Sequence, residues 1–281
     1  MKPLSPLIVE PLVRAALLED LGRAGDITTD TVVPAEQRAS VRLAARDAGV
    51  VAGTDLAVAA FRLVDPTVAV DVALPDGSRV LPGDVVATVS GPARAILTAE
   101  RVALNFLGHL SGVATATAQI ADAVAHTATR VTCTRKTTPG LRAPEKHAVV
   151  AGGGVNHRFG LDDAILVKDN HIALAGGVRE AITRARAGVG HLVKIEVEVE
   201  TLDQLREVLT DPVDAVLLDN MGPETLREAV ELVAGRMVTE ASGRLTAATA
   251  PVIAATGVDL MSAGWITHSA PVLDLGLDVV D

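Results

Sequence analysis

Two rhythms divide the chain. In the first, stretches of strand and helix character are mixed. Pro11 to Leu21 predicts a helix: Pro11 suits a first turn, Val13, Ala16, Leu17 and Leu21 share a face, and Gly22 ends it. Val41, Leu43 and Ala45 alternate with Arg42, Ala44 and Arg46, the pattern of a half-buried strand. A helical patch follows from Asp55 to Leu63, then a turn at Pro75-Asp76-Gly77-Ser78 and a second short strand between Gly83 and Gly91. From Val102 to Ala121 no residue is charged. Asn105, His109, Ser111 and Gln119 interrupt that run, and Gly108 and Gly112 lie within it. It predicts two buried amphipathic helices meeting at a small-residue joint, not a membrane span.

The second rhythm begins near residue 110. Apolar strand-like runs at 131–134, 164–167, 192–199, 214–218, 237–241 and 258–263 alternate with helical runs such as 178–187, 202–209, 224–234 and 245–255. Apolar strands alternating with helices make parallel βα units. Six such units fall short of the eight of a full barrel. Gly152-Gly153-Gly154 lacks the spacing of a dinucleotide fingerprint and follows a helix, not a strand.

The predicted strands end in polar groups. Arg135 and Lys136 follow the first and Lys168, Asp169, Asn170 and His171 the second. Asp219 and Asn220, then Ser242 and Gly243, then Gly264 follow later ones. Barrel enzymes gather their chemistry at that edge, so several charged ends point to one shared site. In the stretch 192–200, Lys194, Glu196, Glu198 and Glu200 fall on one face by period two. That face is either solvated or, if the strand is covered on both sides, an interior polar cluster; the second reading is favoured because unpaired buried charge is costly.

Composition narrows the ligand. The 281 residues carry 25 basic and 35 acidic side chains, a net charge of −10, which argues against nucleic acid or an anionic membrane surface. Aromatics are 1% of the chain, too few for base-stacking platforms. The single cysteine, Cys133, excludes an internal disulfide framework and a cysteine zinc cage; as a residue it is either a nucleophile or a small buried side chain. The N-terminus has no apolar signal-peptide core, which with the polar interruptions above predicts a soluble cytoplasmic protein. Yet residues 134–171 hold six basic side chains against four acidic ones, besides His147, His157 and His171. Such a local patch suits a small, multiply anionic molecule. Only five residues are lysine, and Lys136, Lys168 and Lys194 lie in or at the ends of predicted strands, as if a compact ammonium were needed there. Asp162-Asp163, just before a strand, reads as a turn before it reads as a metal site.

The motifs, taken in order, carry a resemblance. They are Thr134-Arg135-Lys136-Thr137-Thr138-Pro139-Gly140-Leu141-Arg142, Gly152-Gly153-Gly154-Val155-Asn156-His157-Arg158, Lys168-Asp169-Asn170-His171, Glu196-Val197-Glu198-Val199, Leu218-Asp219-Asn220, Ser242-Gly243 and Gly257-Val258-Asp259. This series resembles quinolinate phosphoribosyltransferase, the nicotinate-nucleotide pyrophosphorylase of NAD biosynthesis, along nearly the whole chain. The resemblance implies an N-terminal α/β sandwich over residues 1–110, to which the tail 270–281 returns. Over 111–269 it implies an incomplete, TIM-like parallel α/β barrel of about six strands that carries the active site. It implies a homodimer with sites shared between subunits, or a hexamer. The implied reaction joins quinolinate and phosphoribosyl pyrophosphate, with Mg²⁺, into nicotinate mononucleotide, pyrophosphate and CO₂.

By position, Arg135, His157, Arg158 and Lys168 would hold the quinolinate carboxylates, with Arg101 entering the neighbouring subunit's site. Lys136, Lys168, Glu198 and Asp219 are the implied catalytic residues. Glu198 and Asp219 would serve the Mg²⁺, mainly through phosphoribosyl pyrophosphate, and Ser242, Gly243, Gly264 and His268 would surround the 5′-phosphate. Two positions depart from the pattern: Cys133 stands where the family commonly has Asp, and His147 where it often has an aromatic. The rival expectations are a non-decarboxylating transferase acting on nicotinate and a non-catalytic homologue that binds an oxyanion.

Overall fold

In chain order, the first elements of the computed structural model, which describes residues 1–279, are helix α1 (Pro6–Leu21), α2 (Ile27–Val32), strands β1 (Arg38–Ala45) and β2 (Gly49–Val50), α3 (Thr54–Val64), β3 (Ala69–Val72), β4 (Arg79–Val80), β5 (Val85–Pro92) and α4 (Ala93–Ala123). Then come β6 (Arg130–Thr132), α5 (Arg142–Ala151), β7 (Ile165–Val167), α6 (Asp169–Ala175), α7 (Val178–Gly188), β8 (Ile195–Val199), α8 (Leu202–Val208), β9 (Ala215–Asp219) and α9 (Pro223–Val233). The last are β10 (Val238–Ser242), α10 (Ala250–Ala254), β11 (Leu260–Ser262), α11 (Trp265–His268) and β12 (Leu275–Val279). They form two compact units, one of residues 1–118, 138–153 and 267–281 and one of residues 119–137 and 154–266.

The first unit holds a four-stranded antiparallel sheet in the order β12-β1-β5-β3. The C-terminal tail therefore supplies an edge strand; its last residues, Val280 and Asp281, lie outside the described residues. Three local expectations need correction. Helix α1 begins at Pro6, where Ser5 accepts the Leu7 N–H, so Pro11 sits inside the helix and not in its first turn. In β1 the register shifts between Leu43 and Ala44, so Ala44 is buried beside Ala45 instead of alternating with it. The stretch 102–121 belongs to one unbroken helix of 31 residues, not two. Its glycines serve packing: a Cβ at Gly112 would run into the Pro271 carbonyl, and one at Gly108 would come 3.0 Å from the Leu273 carbonyl oxygen.

The second unit is a six-stranded parallel sheet in the order β6-β11-β10-β9-β8-β7. The strands follow one another round a partial barrel that is open between β6 and β7. The six strands are those the apolar runs predicted. At the open edge Val155 bridges to Thr132, with its N–H donating to the Val131 carbonyl at 2.8 Å. That bridge delivers His157 and Arg158 to the C-terminal end of the sheet. The helix expected over 245–255 is only α10, with Pro251, which lacks an N–H, in its first turn. Among the described residues no helix is long and apolar enough to cross a membrane.

Candidate active site

The C-terminal ends of the parallel strands surround a cavity of about 410 Å³ in the second unit. It gathers Arg135, Lys136, His157, Arg158, Lys168, Glu198, Asp219 and Ser242, joined by Glu240 and Ser262. Each strand contributes at its end because the period-two alternation that buries Val197, Val199, Leu218 and Met261 turns their neighbours towards the mouth.

Cationic groups line one part of this mouth. Arg158 Nη1 donates to the Ala164 carbonyl at 2.9 Å, whereas its buried Nε has no hydrogen-bond partner. Burial, and after it the positive charge of Arg135, pulls the Arg158 guanidinium below its ordinary pKa. Two like charges brought together at the cost of desolvation and repulsion favour an anion in the cavity they line. Lys168 Nζ lies 2.6 Å from Glu198 Oε2. Asp219 Oδ2 accepts from the Asn220 side-chain amide at 2.7 Å, and Asn220 itself holds a left-handed φ of 54°.

The two glycines of the set have steric duties. Gly243 has φ 151°, and at Gly264 a Cβ would stand 2.8 Å from Lys136 Cδ, so the backbone there leaves room for the lysine stem. Arg101 and His268 belong to the first unit. Arg101 is exposed on α4 and lines a small cavity with Asp20, Asp26 and Thr98. His268 Nδ1 lies 2.6 Å from Ser269 Oγ.

The polar face of β8 is an interior cluster only at its middle. Glu196 is buried and Glu198 half-buried, but Lys194 is exposed at the opposite end of the strand, paired with Asp214, and Glu200 is exposed. Lys194 therefore leaves the lysine argument. Glu196 Oε2 lies 2.9 Å from His157 Nε2, and Glu240 Oε2 lies 3.7 Å from the same nitrogen. Glu240 is not among the residues that the sequence pattern singles out. A signal exists all the same: a carboxylate amid the buried residues of a central parallel strand needs the same explanation as Glu196. Burial, then the charge of Glu196, pushes the Glu240 carboxyl up to about 7, against the opposing pull of His157.

Cys133 is fully buried, with its thiol 3.3 Å from Asn156 Oδ1, as a small core residue. Asp163 accepts the N–H groups of Phe159 and Gly160 at 2.6 and 2.9 Å, so that acidic pair makes a turn. In the first unit His147 Nε2 meets Asp76 at 2.8 Å, and Asp76 also accepts from Gly53 and Thr54 N–H at 3.0 Å. The polar residue at position 147 thus has a buried partner of its own.

Comparison with known proteins agrees along the chain. Residues 26–111 match the model of the quinolinate phosphoribosyl transferase N-terminal domain and residues 113–278 that of the C-terminal domain. A nicotinate-nucleotide pyrophosphorylase (carboxylating) of Mycobacterium leprae is 42% identical over 95% of this chain and 95% of its own. A quinolinate phosphoribosyltransferase (decarboxylating) of Nicotiana tabacum is 40% identical over 96% of this chain and 82% of its own. The crystal structure of NadC from Streptococcus pyogenes superposes with a TM-score of 0.95 at 42% identity, covering 100% of both chains.

Proposed function

The chain belongs to the quinolinate phosphoribosyltransferase family, and from that premise we propose how its own residues divide the work. The reaction is transfer of the phosphoribosyl group from phosphoribosyl pyrophosphate to quinolinate with decarboxylation, giving nicotinate mononucleotide. The single observation that carries the assignment of the site is the arginine pair. Arg135 and Arg158 face one cavity, and the buried Arg158 Nε waits there without a partner. A planar dicarboxylate can engage both guanidiniums at once, whereas a monocarboxylate engages one.

In this reading Arg135, Arg158 and Lys168 take the two carboxylates. His157 orients the set, since its Nδ1 accepts the Arg158 N–H at 2.7 Å and its Nε2 faces Glu196. Lys136 and the loops of Ser242, Gly243 and Gly264 receive the phosphates, and Arg101 reaches the site of a second subunit in a homodimer. The ring nitrogen then attacks the sugar carbon as pyrophosphate leaves, and the negative charges of Glu198 and Asp219 stabilise the cation-like sugar. The pyridinium so formed is the electron sink for decarboxylation, so no covalent nucleophile is required.

Glu198 and Asp219 stand at the ends of adjacent strands and offer carboxylate oxygens alone, a donor set that suits Mg²⁺. When bound, Mg²⁺ would neutralise charge on the leaving pyrophosphate. The same reading assigns the protein to the cytoplasm. The test is chromatography of products from phosphoribosyl pyrophosphate and Mg²⁺ with quinolinate or with nicotinate. Nicotinate mononucleotide from quinolinate alone is expected; equal turnover of nicotinate would refute the dicarboxylate site.

A further inference from the structure

Beneath the cations of the cavity lies a buried trio. Glu240 on β10 is 1% exposed, yet it lines the cavity floor. Its Oε1 has no hydrogen-bond partner. One ligand-type atom from each of His157, Glu196 and Glu240 lies within 4.8 Å of the others. Two carboxyl groups at that separation, both out of water, do not ionise together without a compensating cation.

The histidine stands closer to Glu196 than to Glu240. His157 Nδ1 accepts the Arg158 N–H, so in the neutral ring the proton sits on Nε2. That hydrogen is directed at Glu196, 2.9 Å away, with Glu240 at 3.7 Å. The remaining neighbours of Glu240 offer little more. Ser262 on β11 hydrogen-bonds to it, and Leu217, its partner on β9, is apolar. Arg135, Arg158 and Lys168 line the same cavity, and a dianionic substrate would occupy them.

We propose that Glu240 is held as a neutral carboxylic acid under the bound substrate and supplies the proton that replaces the departing carboxylate on the pyridine ring. The proposal rests on the decarboxylating reaction and on this cavity being the quinolinate site. After ribosylation, the bond between ring C2 and its carboxylate breaks. CO₂ leaves, and the electron pair stays on C2 beside the positively charged nitrogen. The Glu240 proton passes to C2, and Glu240 becomes a carboxylate facing the protonated Nε2 of His157. Solvent reprotonates it after the product departs. Without that proton the carbanion recaptures the CO₂ held beside it. The upward shift of the Glu240 carboxyl to about 7 is in keeping with an acid that still carries its proton near neutrality.

The experiment separates the two halves of the reaction. Wild type and Glu240→Gln, each in excess over carboxyl-labelled quinolinate with phosphoribosyl pyrophosphate and Mg²⁺, are quenched on the millisecond-to-second scale, and pyrophosphate and CO₂ are counted. In the variant, pyrophosphate formation is expected to slow less than about tenfold and CO₂ formation at least about 100-fold, with the ribosylated dicarboxylate accumulating. Equal slowing of both products, or CO₂ keeping pace with pyrophosphate as in wild type, would overturn the proposal. A residue that merely shapes the site does not split the two steps. If the variant does not fold, wild type decides by pH. The CO₂ step should slow at high pH while the pyrophosphate step does not; a constant ratio overturns the proposal. If wild type releases no pyrophosphate from quinolinate at all, the underlying site reading fails first.

Discussion

Replacing Arg158 by methionine should leave stability nearly unchanged while destroying binding. The guanidinium feels the charge of Arg135 and has a buried, unpartnered Nε. Methionine keeps the stem volume and removes both the desolvated charge and the repulsion. Relief of one unsatisfied buried donor is worth about 1–3 kcal/mol. Against this stands the lost hydrogen bond from a charged donor to the Ala164 carbonyl, about 1.5–3 kcal/mol. The two nearly cancel, so stability should change by no more than about 1 kcal/mol, or about 2–4 °C in Tm for a chain of this size. For the ligand nothing offsets the loss. Removing one partner of a buried charge pair costs about 2–5 kcal/mol, a roughly thirty- to several-thousand-fold loss of quinolinate affinity. Urea unfolding gives the first quantity and calorimetric titration with quinolinate the second. Wild type at 100 times Kd should gain about 2.7 kcal/mol from the ligand, and the variant far less at the same concentration. A variant destabilised by several kcal/mol, or one that binds quinolinate unchanged, would refute the reasoning.

Four further outcomes follow from the same geometry. Glu240 has its pKa raised on folding, so its protonated form favours the folded state. Stability should be fully present below about pH 4.5 and be lost as pH rises through about 7, by about 3 kcal/mol in total. Denaturation of wild type and Glu240→Gln across that window checks it, with the slope weakened in the variant. His147→Phe removes one of the three hydrogen-bonding partners that, against the effect of burial, hold the Asp76 carboxyl below its ordinary range; a loss of about 1–2 kcal/mol is expected in urea unfolding. Removal of Mg²⁺ by chelation should abolish turnover while leaving quinolinate binding measurable by calorimetry, because the carboxylate-binding arginines are separate from Glu198 and Asp219. Arg101→Ala and Lys168→Ala, each nearly inactive alone, should regain up to about a quarter of wild-type activity when refolded together, since half of randomly paired dimers are mixed and each carries one intact site; mixed dimers without activity would confine Arg101 to its own subunit.

The features legible in the sequence are the local ones. Each parallel strand announces itself as an apolar run, and a strand that leaves the sheet must end in polar residues. The pattern alone therefore assigns Arg135, Lys168 and Asp219 to one edge, where the cavity gathers them with Glu198, one of the alternating charges of 192–200. Motif order along the chain then adds the chemistry. The sequence misleads where a distant segment decides. Gly108 and Gly112 look like a helix break, but their smallness answers the chain at Pro271 to Leu273, far away in sequence, so α4 continues through them. The bulge that buries Ala44 depends on its pairing with β5. Lys194 and Lys168 look alike as residues, and only the direction of the strand puts one at the mouth and the other at the far end with Asp214. Glu240 is the sharpest case. A glutamate in a strand has an ordinary pKa in the sequence, and its carboxyl is pushed up only because β8, β11 and the segment of His157 close over it. They withdraw water and bring up a second carboxylate; the apolar neighbours of Glu240 in its strand hint at the burial, but the approach of Glu196 has no trace in the local pattern.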